Sequence, residues 1–549
     1  MTGSDPDSSQ TPPDAAPEED ALALDPEDAG ARAEAAAPAD FSEDQRAATR
    51  LIGVALAGAG VDLEAGRAKA TPRPKARPSS AVAAVLGKAG SGKTHLLAWL
   101  VRRLIEVGCK QNTGEADAQR PAASGRTRRR RNPQVSFAVV APTNKAASVL
   151  RARGVAAATI HRILYSPEYD PDYEALAQWL AEPDKNERPE GVGGVAPAQL
   201  DRAQELFAET KSAPAALAMI GLRGSDFITG WKRRDEDIAI GLVDEASMLD
   251  EAQLNDLREI FQVVILFGDP AQLAPVGQDG EMVFERLPAP ARIALSRVHR
   301  QAADNPIIDL AYALQQDIAF SEFEAKIRTL AAEDERIEIA NRVDSDLMAR
   351  TPTLVWRNAT RIRMIHAFRS VHGLAPDAMS PGEPLICDGL ELPARNRHKR
   401  VDLEQIGLVK GAQAFWLGEG RKPGFAKIHL SGAPQPQIGV AAIVQIERPD
   451  EAEPFIATAA RQGALFVHGA ACTIHKAQGS QWPTVQVFAP DLFAAARSGR
   501  VEAGAPLWRR LAYVAITRAE ERLIWATRYA MGKPTAPLEA EDLLKGPLA

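Results

Sequence analysis

The sequence has few cysteines, no long apolar run and few aromatic residues. Its three cysteines, Cys109, Cys387 and Cys472, lie far apart and form no CxxC pair, so we expect neither a disulfide framework nor a structural zinc site. No apolar run approaches the roughly 18 residues of a membrane span, and the start of the chain lacks a signal-peptide pattern. These absences predict a soluble, cytoplasmic protein without a membrane partner.

The composition is that of a globular protein with an uneven distribution of charge. The 549 residues are 45% apolar and 25% charged, and length alone favours three or four domains. Residues 1–40 carry eleven acidic side chains and one arginine, which leaves about +3 on the rest of a chain whose net charge is −7. The acidic balance therefore belongs to this tail and does not exclude a polyanionic partner.

Three segments have the composition of tails or loops. Residues 1–40 are rich in Ala, Pro, Asp and Glu, which predicts a disordered acidic tail whose partner, if any, the sequence does not indicate. Residues 65–80 form a basic, proline-rich linker. Residues 111–134 contain Arg126 and Arg128–Arg131, which indicates either a solvated loop or a contact with nucleic-acid phosphates.

Short apolar runs alternate with helical patterns along the rest of the chain. Most are continuous and not alternating, as is typical of strands covered on both faces. This order predicts an α/β architecture with parallel sheets, in two cores that divide near residue 295. The candidate strands are Ala81–Leu86, Val135–Val140, Ile238–Val243, Val263–Phe267, Thr353–Trp356, Thr484–Phe488 and Leu523–Trp525.

A phosphate-binding loop lies between an apolar run and a helical pattern. The segment Gly87–Thr94 matches GxxxxGK[ST] in the required context of a strand before and a helix after. Glycines let backbone N–H groups wrap phosphates, and the helix N-terminus adds partial positive charge. We expect Lys93 to neutralise the outer phosphates and the Thr94 hydroxyl to bind Mg²⁺.

A pair of acids follows a later strand. Asp244 and Glu245 stand at the carboxyl end of the run Ile238–Val243, the position at which open α/β sheets bind ligands. In a nucleotide hydrolase Asp244 would hold Mg²⁺ and Glu245 would deprotonate the attacking water. The alternative is that both acids only begin a helix, where negative charge is favoured.

Eight segments in order resemble the motifs of superfamily 1 DNA helicases, in particular the 5′→3′ branch that contains RecD, Dda and Pif-type enzymes. The resemblance covers residues 41–530 and implies two tandem RecA-like P-loop domains, at 41–295 and 296–549, that use ATP and Mg²⁺. The segments are GKAGSGKT (87–94), VVAPTNKAA (139–147), TIHRIL (159–164), LVDEASM (242–248), LFGDPAQLAPVG (266–277), SRVHRQ (296–301), TIHKAQGSQW (473–482) and YVAITRA (513–519).

The resemblance implies further nucleotide contacts. Gln45 would read adenine, although it could instead be a solvated residue at a helix start. Gln272 would sense the γ-phosphate, and Arg300 and Arg518 would reach it from the second core unless they form structural ion pairs. The expected nucleotide contacts are Gln45, Gly87, Lys88, Ala89, Gly90, Ser91, Gly92, Lys93, Thr94, His95 and Gly479.

The resemblance also implies contacts to single-stranded DNA on both cores. Hydroxyl groups and a lysine suit phosphate oxygens, whereas the two histidines could instead cap backbone groups. The expected contacts are Pro142, Thr143, Thr159, His161, Thr473, His475 and Lys476. Trp356, Trp482 and Trp508 are candidates for base stacking, although core packing is the better interpretation of each.

Two insertions interrupt the cores. By position, residues 166–236 would form a pin that splits duplex DNA, with Phe227 or Trp231 as the wedge, or else a helical cover. Residues 385–465 are rich in Gly, Val and Ile with several turn signals, and the resemblance implies an SH3-like barrel there.

Together these patterns predict a monomeric, ATP- and Mg²⁺-dependent helicase that moves 5′→3′ on single-stranded DNA and unwinds forked duplex. An RNA or RNA–DNA helicase remains an alternative, since phosphate contacts do not exclude 2′-hydroxyl groups. The second alternative is a nucleic-acid-binding protein that uses ATP as a conformational switch and does not unwind duplex. The biological pathway is not indicated.

Overall fold

The computed structural model describes most of the chain, in segments. The described residues are 26–69, 80–113, 134–189, 196–210, 228–233, 238–275, 281–296, 305–375, 378–390, 411–419, 425–431, 437–445, 464–502 and 504–538, with single positions between 213 and 222. The helices are α1 (Pro26–Ala35), α2 (Glu43–Ala57), α3 (Lys93–Glu106), α4 (Asn144–Ala152), α5 (Ile160–Leu164), α6 (Pro171–Ala181), α7 (Pro197–Thr210), α8 (Glu251–Ile260), α9 (Pro306–Ala313), α10 (Phe320–Glu333), α11 (Ser345–Met348), α12 (Asn358–Val371), α13 (Ala489–Arg497) and α14 (Leu507–Ile516). Among them, none is long and apolar enough to cross a membrane.

The strands form two larger sheets, a barrel and three short ribbons. They are β1 (Val61–Asp62), β2 (Arg67–Ala68), β3 (Ala81–Gly87), β4 (Lys110–Gln111), β5 (Ser136–Ala141), β6 (Ala158–Thr159), β7 (Tyr165–Tyr169), β8 (Ile228–Arg233), β9 (Ile238–Val243), β10 (Phe261–Gly268), β11 (Arg292–Leu295), β12 (Ile337–Ala340), β13 (Thr353–Val355), β14 (Pro384–Leu390), β15 (Gln413–Glu419), β16 (Phe425–Leu430), β17 (Gln437–Gln445), β18 (Ala464–His468), β19 (Ala471–Thr473), β20 (Trp482–Phe488), β21 (Val501–Glu502), β22 (Ala505–Pro506) and β23 (Ala519–Ala526).

The first sheet holds the phosphate-binding loop. Its strand order is β11-β3-β10-β9-β5-β4, with β6 paired to β5, and all of these pairings are parallel. Strands β5, β9 and β10 are buried over nearly their whole length, which explains their continuous apolar sequences. The carboxyl ends of β3, β10 and β9 are adjacent, so the three loops that follow them meet at one edge.

The second sheet is also parallel, with the order β12-β23-β20-β13-β19. Its core includes the face of α14 that carries Leu511, Val514 and Ala515, all fully buried. The prediction of two α/β cores with parallel sheets is therefore confirmed.

A closed five-stranded barrel, β14-β15-β16-β17-β18, interrupts the second core. It is antiparallel except where β17 pairs with β18. The barrel lies in the stretch for which a β-rich insertion is predicted, and its likeness to SH3 domains stays a prediction. Residues 391–410 and 446–463 of this insertion lie outside the described residues.

The prediction of disorder over residues 1–40 is wrong for the segment from residue 26 onward. Helix α1 lies on α2, with Ala29 and Ala33 buried. A Cβ atom added at Gly53 of α2 would lie 2.4 Å from the Cβ of Ala33, so small residues let the two backbones approach closely. Composition misses this packing because alanine and glycine bury little side-chain area. Residues 1–25 lie outside the described residues.

The basic linker is also shorter than predicted at its start. Arg67 and Ala68, within the linker predicted for residues 65–80, pair with Val61 and Asp62 in a short antiparallel ribbon. Residues 70–79 lie outside the described residues, as do residues 114–133 of the arginine-rich loop.

The antiparallel ribbon β7–β8 forms the two ends of the first insertion. Helices α6 and α7 bury their own small core, which includes Tyr173, Trp179 and Leu206. Phe227 lies outside the described residues, and only the backbone of Trp231, on β8, is described. The pin and the helical cover both remain predictions.

Candidate active site and nucleic-acid interface

The phosphate-binding loop links β3 to the N-terminus of α3. Gly90 and Gly92 have φ angles of 78° and 85°, a left-handed conformation that favours glycine. Gly92 occupies the N-cap position of α3. A Cβ atom at Gly87 would lie 2.2 Å from the Ser91 Oγ, so the close loop requires glycine there as well.

The loop has groups that suit a phosphate. The Lys93 ammonium is held by the main-chain carbonyls of Gly87 and Lys88, the latter at 3.1 Å. The Ser91 Oγ is buried without a hydrogen-bond partner among the described residues. Among the residues that the structure describes, Lys93 bonds no carboxylate and Ser91 has an unpaired hydroxyl. Next to a helix N-terminus, the two groups make a site for a polyanion.

Asp244 and Glu245 occupy the end of β9, where the Asp244 N–H donates to the Val140 carbonyl at 2.9 Å. Glu245 has φ 52° and ψ 41° and is the one non-glycine residue with positive φ within the described segments. Such a conformation costs about 1–3 kcal/mol and is found mostly at functional sites. Glu245 precedes a 3₁₀ turn, Ala246–Met248, at its N-cap position but does not cap it with its side chain, so both the catalytic interpretation and the helix-start alternative stay predictions.

The Asp244 carboxyl is a candidate ligand for a divalent cation. Burial, and secondarily the charge of Glu245, raises its pKa to about 7. No cluster of three or more His, Cys, Asp or Glu side chains that could hold a metal occurs in the described part of the chain. One carboxylate and the Thr94 hydroxyl fit Mg²⁺, which typically takes few protein ligands and completes its shell with phosphates and water. When bound, the cation would neutralise phosphate charge.

The loop after β10 lies against the segment that carries the acidic pair. The Ser247 hydroxyl donates to the Gln272 Oε1 at 3.1 Å, and both side chains are buried. The Asp269 carboxylate accepts the Ala271 N–H at 3.0 Å. Gln272 is thus fixed beside the segment that carries Asp244 and Glu245.

Helix α14 of the second core reaches this loop directly. The Tyr513 hydroxyl donates to the Asp269 Oδ2 at 2.6 Å and accepts the Ala89 N–H at 3.1 Å. Arg510 donates to the carbonyls of Pro270 and Gln272. Sequence reasoning missed both roles. Tyr513 belongs to the segment YVAITRA, and Arg510, three residues earlier, lies on the same side of α14. This shared helix face is the one sequence signal that could have indicated their roles.

Arg518 is buried at the boundary between the cores. It donates to the carbonyls of Val514 and Ser480, at 3.1 and 3.0 Å, and to the Thr517 Oγ1. Burial lowers the pKa of its guanidinium, and the charge of Glu245 opposes that shift. Among the described residues Arg518 bonds no carboxylate. The alternative that it forms a structural ion pair therefore finds no support there. Arg300 lies outside the described residues.

Gln45 lies against the phosphate-binding loop and is 1% exposed, which contradicts the solvated alternative. It forms a capping box with Ser42 at the start of α2, and its Nε2 lies 3.5 Å from the Gly92 carbonyl. Phe41, just before, packs edge-on against His95. His95 itself is exposed on α3.

The predicted nucleic-acid residues of the first core lie at or just after the ends of β5 and β6, two paired strands. Pro142 is half-buried directly after β5. The Thr143 Oγ1 caps α4 by accepting the Ala146 N–H at 3.1 Å, and the Thr159 Oγ1 caps α5 in the same way. His161 is exposed and its ring packs on Tyr165 at 4.9 Å.

The corresponding residues of the second core lie at the end of the edge strand β19 and in the turn that follows it. The Thr473 Oγ1 accepts the Lys476 N–H at 3.4 Å. Lys476 is half-exposed and its ammonium lies 3.2 Å from the Asp388 carboxylate of the barrel. His475 is partly buried, which lowers its pKa. Gly479, predicted to contact nucleotide, lies 3.6 Å from Ala146 of α4, measured from an added Cβ atom.

The three candidate stacking tryptophans differ in burial. Trp508 is buried and packs on Phe320 and Phe323, so core packing is its role. Trp482 is half-buried and donates to the Gln413 Oε1 of the barrel at 2.7 Å. Trp356 is half-buried, with the Arg357 guanidinium 5.8 Å from its ring.

The chain matches two family models. The family model of an AAA domain matches residues 73–337, and that of a UvrD-like helicase C-terminal domain matches residues 468–525. No curated protein sequence matches the chain.

Several solved structures are similar at low identity. A Pif1 helicase described in work on DNA unwinding at forked duplex by two coordinating Pif1 helicases is 15% identical, with 89% of this chain and 92% of that chain covered and a TM-score of 0.41. Pif1 from Candida albicans is 15% identical, with 89% and 95% covered and a TM-score of 0.41. Bacteroides Pif1 bound to single-stranded DNA is 14% identical, with 82% and 89% covered and a TM-score of 0.39.

TM-scores this low add nothing to the assignment, which stands on the two family models and the motif series. The models match in chain order and together span more than half of the sequence. The first contains the phosphate-binding loop, Asp244, Glu245 and Gln272, and the second contains Arg518 and the segment at 473–482. The chain therefore contains the two domains of a superfamily 1 helicase, an AAA domain and a UvrD-like helicase C-terminal domain, and is an ATP-hydrolysing enzyme.

Proposed function

We propose that this helicase moves 5′→3′ on single-stranded DNA and unwinds forked duplex, with Mg²⁺ held by Thr94 and Asp244. One observation supports a continuous track for the strand: the segments that contain the predicted DNA residues of the two cores adjoin. Direction and unwinding rest on the resemblance to the 5′→3′ branch. Gly479 of the second core lies against Ala146 of α4, three residues beyond Thr143. A strand bound along Thr143 and Thr159 would therefore continue onto Thr473 and Lys476 without a gap.

The threonine geometry suits phosphate contacts. Thr143, Thr159 and Thr473 each use an oxygen lone pair to accept a backbone N–H at the start of a helical turn. A hydroxyl in that position retains a hydrogen that it can donate to an anion. The turn also presents backbone N–H groups, so the sites recognise phosphate and not base identity.

The charges along the track have the required sign. Lys145 of α4 is half-buried and forms no ion pair among the described residues, and burial lowers its pKa. An added Cβ atom at Gly411, next to the barrel strand β15, would lie 3.5 Å from its side chain. A lysine in the crevice between the first core and the barrel is stabilised by an anion that enters there.

Hydrolysis is coupled to motion because the site includes both cores. The bonds of Arg510 and Tyr513 to the loop after β10 exist only while α14 lies against the first core. A change in that contact would shift the second core's DNA residues relative to those of the first. Such alternation of closure and release is the basis of translocation.

The experiment that tests the proposal is ATP-driven unwinding of matched forks with only a 5′ or only a 3′ single-stranded tail, with blunt duplex as control. We expect unwinding of the 5′-tailed fork alone. Preference for the 3′ tail would refute the direction. DNA-stimulated ATP hydrolysis without unwinding would refute the proposed unwinding activity. A preference for matched RNA forks would refute DNA as the substrate.

A second experiment addresses the first insertion. Replacing Phe227 and Trp231 together with alanine should abolish unwinding while ATP hydrolysis stimulated by single-stranded DNA persists. Unchanged unwinding would contradict the pin and favour the helical cover. Phe207→Ala, on α7 of the same insertion, is the control for loss of an aromatic residue.

A further inference from the structure

The backbone of Ala89 is contacted on both sides by tyrosines of the second core. Its N–H donates to the Tyr513 hydroxyl at 3.1 Å, and its carbonyl accepts the Tyr312 hydroxyl at 3.4 Å. Ala89 is the third residue of the phosphate-binding loop, whose amides serve to hold phosphate oxygens. A side chain of the other core thus uses an amide of the nucleotide-binding loop.

The Tyr513 hydroxyl both donates and accepts a hydrogen bond in this arrangement. Its proton goes to the Asp269 carboxylate, and its oxygen accepts the Ala89 N–H. Tyr513 and Asp269 are each 1% exposed, so no water replaces either bond. Burial, and then the charge of Asp269, raises the pKa of Tyr513 well above its ordinary value, which keeps the phenol protonated as the donor.

The two acceptors for the Ala89 N–H differ in strength. The phenol oxygen is neutral, whereas a phosphate oxygen carries charge, and hydrogen bonds to charged acceptors are about twice as strong. A phosphate that reaches Ala89 should therefore displace the tyrosine, while the bond between Tyr513 and Asp269 can persist. Until then the tyrosine holds the loop against the second core and lowers its apparent affinity for nucleotide.

We propose that Tyr513 is a positioning residue whose hydroxyl occupies the Ala89 N–H in the nucleotide-free enzyme and gives it up to a phosphate oxygen of ATP. The exchange transmits nucleotide arrival to α14, since Tyr513 and Arg510 lie one turn apart on that helix. Arg510 holds the Gln272 carbonyl, so release at Ala89 changes the restraint on the loop after β10. The proposal concerns nucleotide binding without DNA and is independent of the direction of translocation.

Tyr513→Phe tests the exchange because it removes the hydroxyl and keeps the ring. With the full-length protein, Mg²⁺ and a non-hydrolysable ATP analogue in the absence of DNA, we expect the dissociation constant to fall about threefold to tenfold, the worth of one neutral hydrogen bond. Mere structural damage would weaken binding instead. An unchanged or weaker affinity in a variant with wild-type circular dichroism would overturn the proposal.

Tyr312→Phe is the matched control. It removes a hydroxyl that bonds the carbonyl of the same residue, an atom that no phosphate oxygen can bind. We expect its affinity for the analogue to stay within twofold of wild type. A tightening equal to that of Tyr513→Phe would show that general loosening of the loop, and not competition at the N–H, is the cause.

Hydrogen exchange of the Ala89 amide tests the same contact by a readout other than nucleotide affinity. In the nucleotide-free wild type the Ala89 amide should exchange slowly, and Tyr513→Phe should accelerate it by at least tenfold. The ATP analogue should keep exchange slow in the wild type and restore slow exchange in Tyr513→Phe. Fast exchange of this amide in the nucleotide-free wild type would refute the contact on which the proposal rests.

Discussion

The guanidinium of Arg510 donates to the Gln272 carbonyl across the boundary between the two cores, at 2.5 Å. The same group bonds the Pro270 carbonyl at 3.0 Å, and its Nε donates to the Glu502 carbonyl. The Glu502 carboxylate in turn accepts the Ala274 N–H. The loop of residues 269–274 is thus held by the second core at several points, although its sequence belongs to the first.

Arg510→Gln should lower the turnover number of DNA-stimulated ATP hydrolysis about tenfold to a hundredfold. The change removes charged hydrogen bonds to two carbonyls, worth about 1.5–3 kcal/mol each, and leaves Gln272 without its tie to the second core. Steady-state kinetics with saturating single-stranded DNA measure the effect, and nucleotide affinity should change little.

The neighbouring Arg509 provides the control for this prediction. Its ion pair with Asp317 lies within the second core, so Arg509→Gln removes the same charge without touching the loop. Equal losses in the two variants would contradict a specific role for the bond between Arg510 and Gln272.

Glu245→Gln should retain ATP binding and lose turnover by roughly 10²–10⁴, the usual contribution of a general base. The amide keeps the shape of the side chain at this strained position but does not accept the proton of the attacking water. Single-turnover hydrolysis and analogue binding separate the two effects. Glu251→Gln, which breaks an exposed pair with Arg286, serves as control, and undiminished turnover in Glu245→Gln would exclude it as the base.

The sequence predicted the strands and the nucleotide loop because both have local signals. A continuous apolar run such as Ile238–Val243 encodes a buried strand by itself, and the glycine spacing of the loop encodes its turn. The bonds of Arg510 and Tyr513 to the first core have no such local signal, because these partners lie more than two hundred residues away. In the sequence LWRRLAYVAI both residues fit the polar and apolar spacing of an ordinary amphipathic helix.

The ion pair between Lys476 and Asp388 predicts opposite effects of two substitutions on DNA affinity. Lys476→Ala should weaken binding of single-stranded DNA and reduce the slope of log K against log salt by roughly 0.7, the loss of one phosphate contact. Asp388→Asn should strengthen binding about twofold to fivefold, because the carboxylate competes for the ammonium and repels phosphate. Fluorescence anisotropy across a salt series measures both. Weaker binding by Asp388→Asn would mean that Asp388 orients the lysine and does not compete.

The close packing of α1 on α2 predicts a reversed effect of a glycine substitution. Gly→Ala within a helix normally stabilises by about 1 kcal/mol, but a methyl at Gly53 would lie 2.7 Å from the Ala29 carbonyl oxygen. We therefore expect Gly53→Ala to lower stability by about 1–3 kcal/mol and to expose Arg32 to trypsin. Gly58→Ala, where the nearest atom lies at 3.4 Å, should be nearly neutral. A stabilised Gly53→Ala variant would contradict the docked position of α1.

His468 at the base of the barrel predicts how stability depends on pH. Its Nε2 lies 2.9 Å from the Glu383 carboxylate and its Nδ1 accepts the Ala470 N–H, so the neutral ring satisfies both neighbours. Glu383 also pairs with Arg369, and Arg361 adds a further positive charge. Burial lowers the pKa of His468 despite Glu383, while Arg369 and Arg361 lower it further.

Because the folded pKa lies below the unfolded value near 6.5, the unfolded chain binds the proton first as the pH falls. The free energy of unfolding should therefore decrease below pH 6.5, by up to about 1.4 kcal/mol per pH unit for this one histidine. Burial also lowers the pKa of the half-buried His372 and the buried His429, which act in the same direction. Urea unfolding of wild type and His468→Gln between pH 5 and 7.5 isolates the contribution of His468, since glutamine does not titrate and its amide can donate to Glu383. The free energy of unfolding of the variant should depend less steeply on pH than that of the wild type. Parallel curves for the two proteins would mean that His468 does not hold its neutral form in the fold.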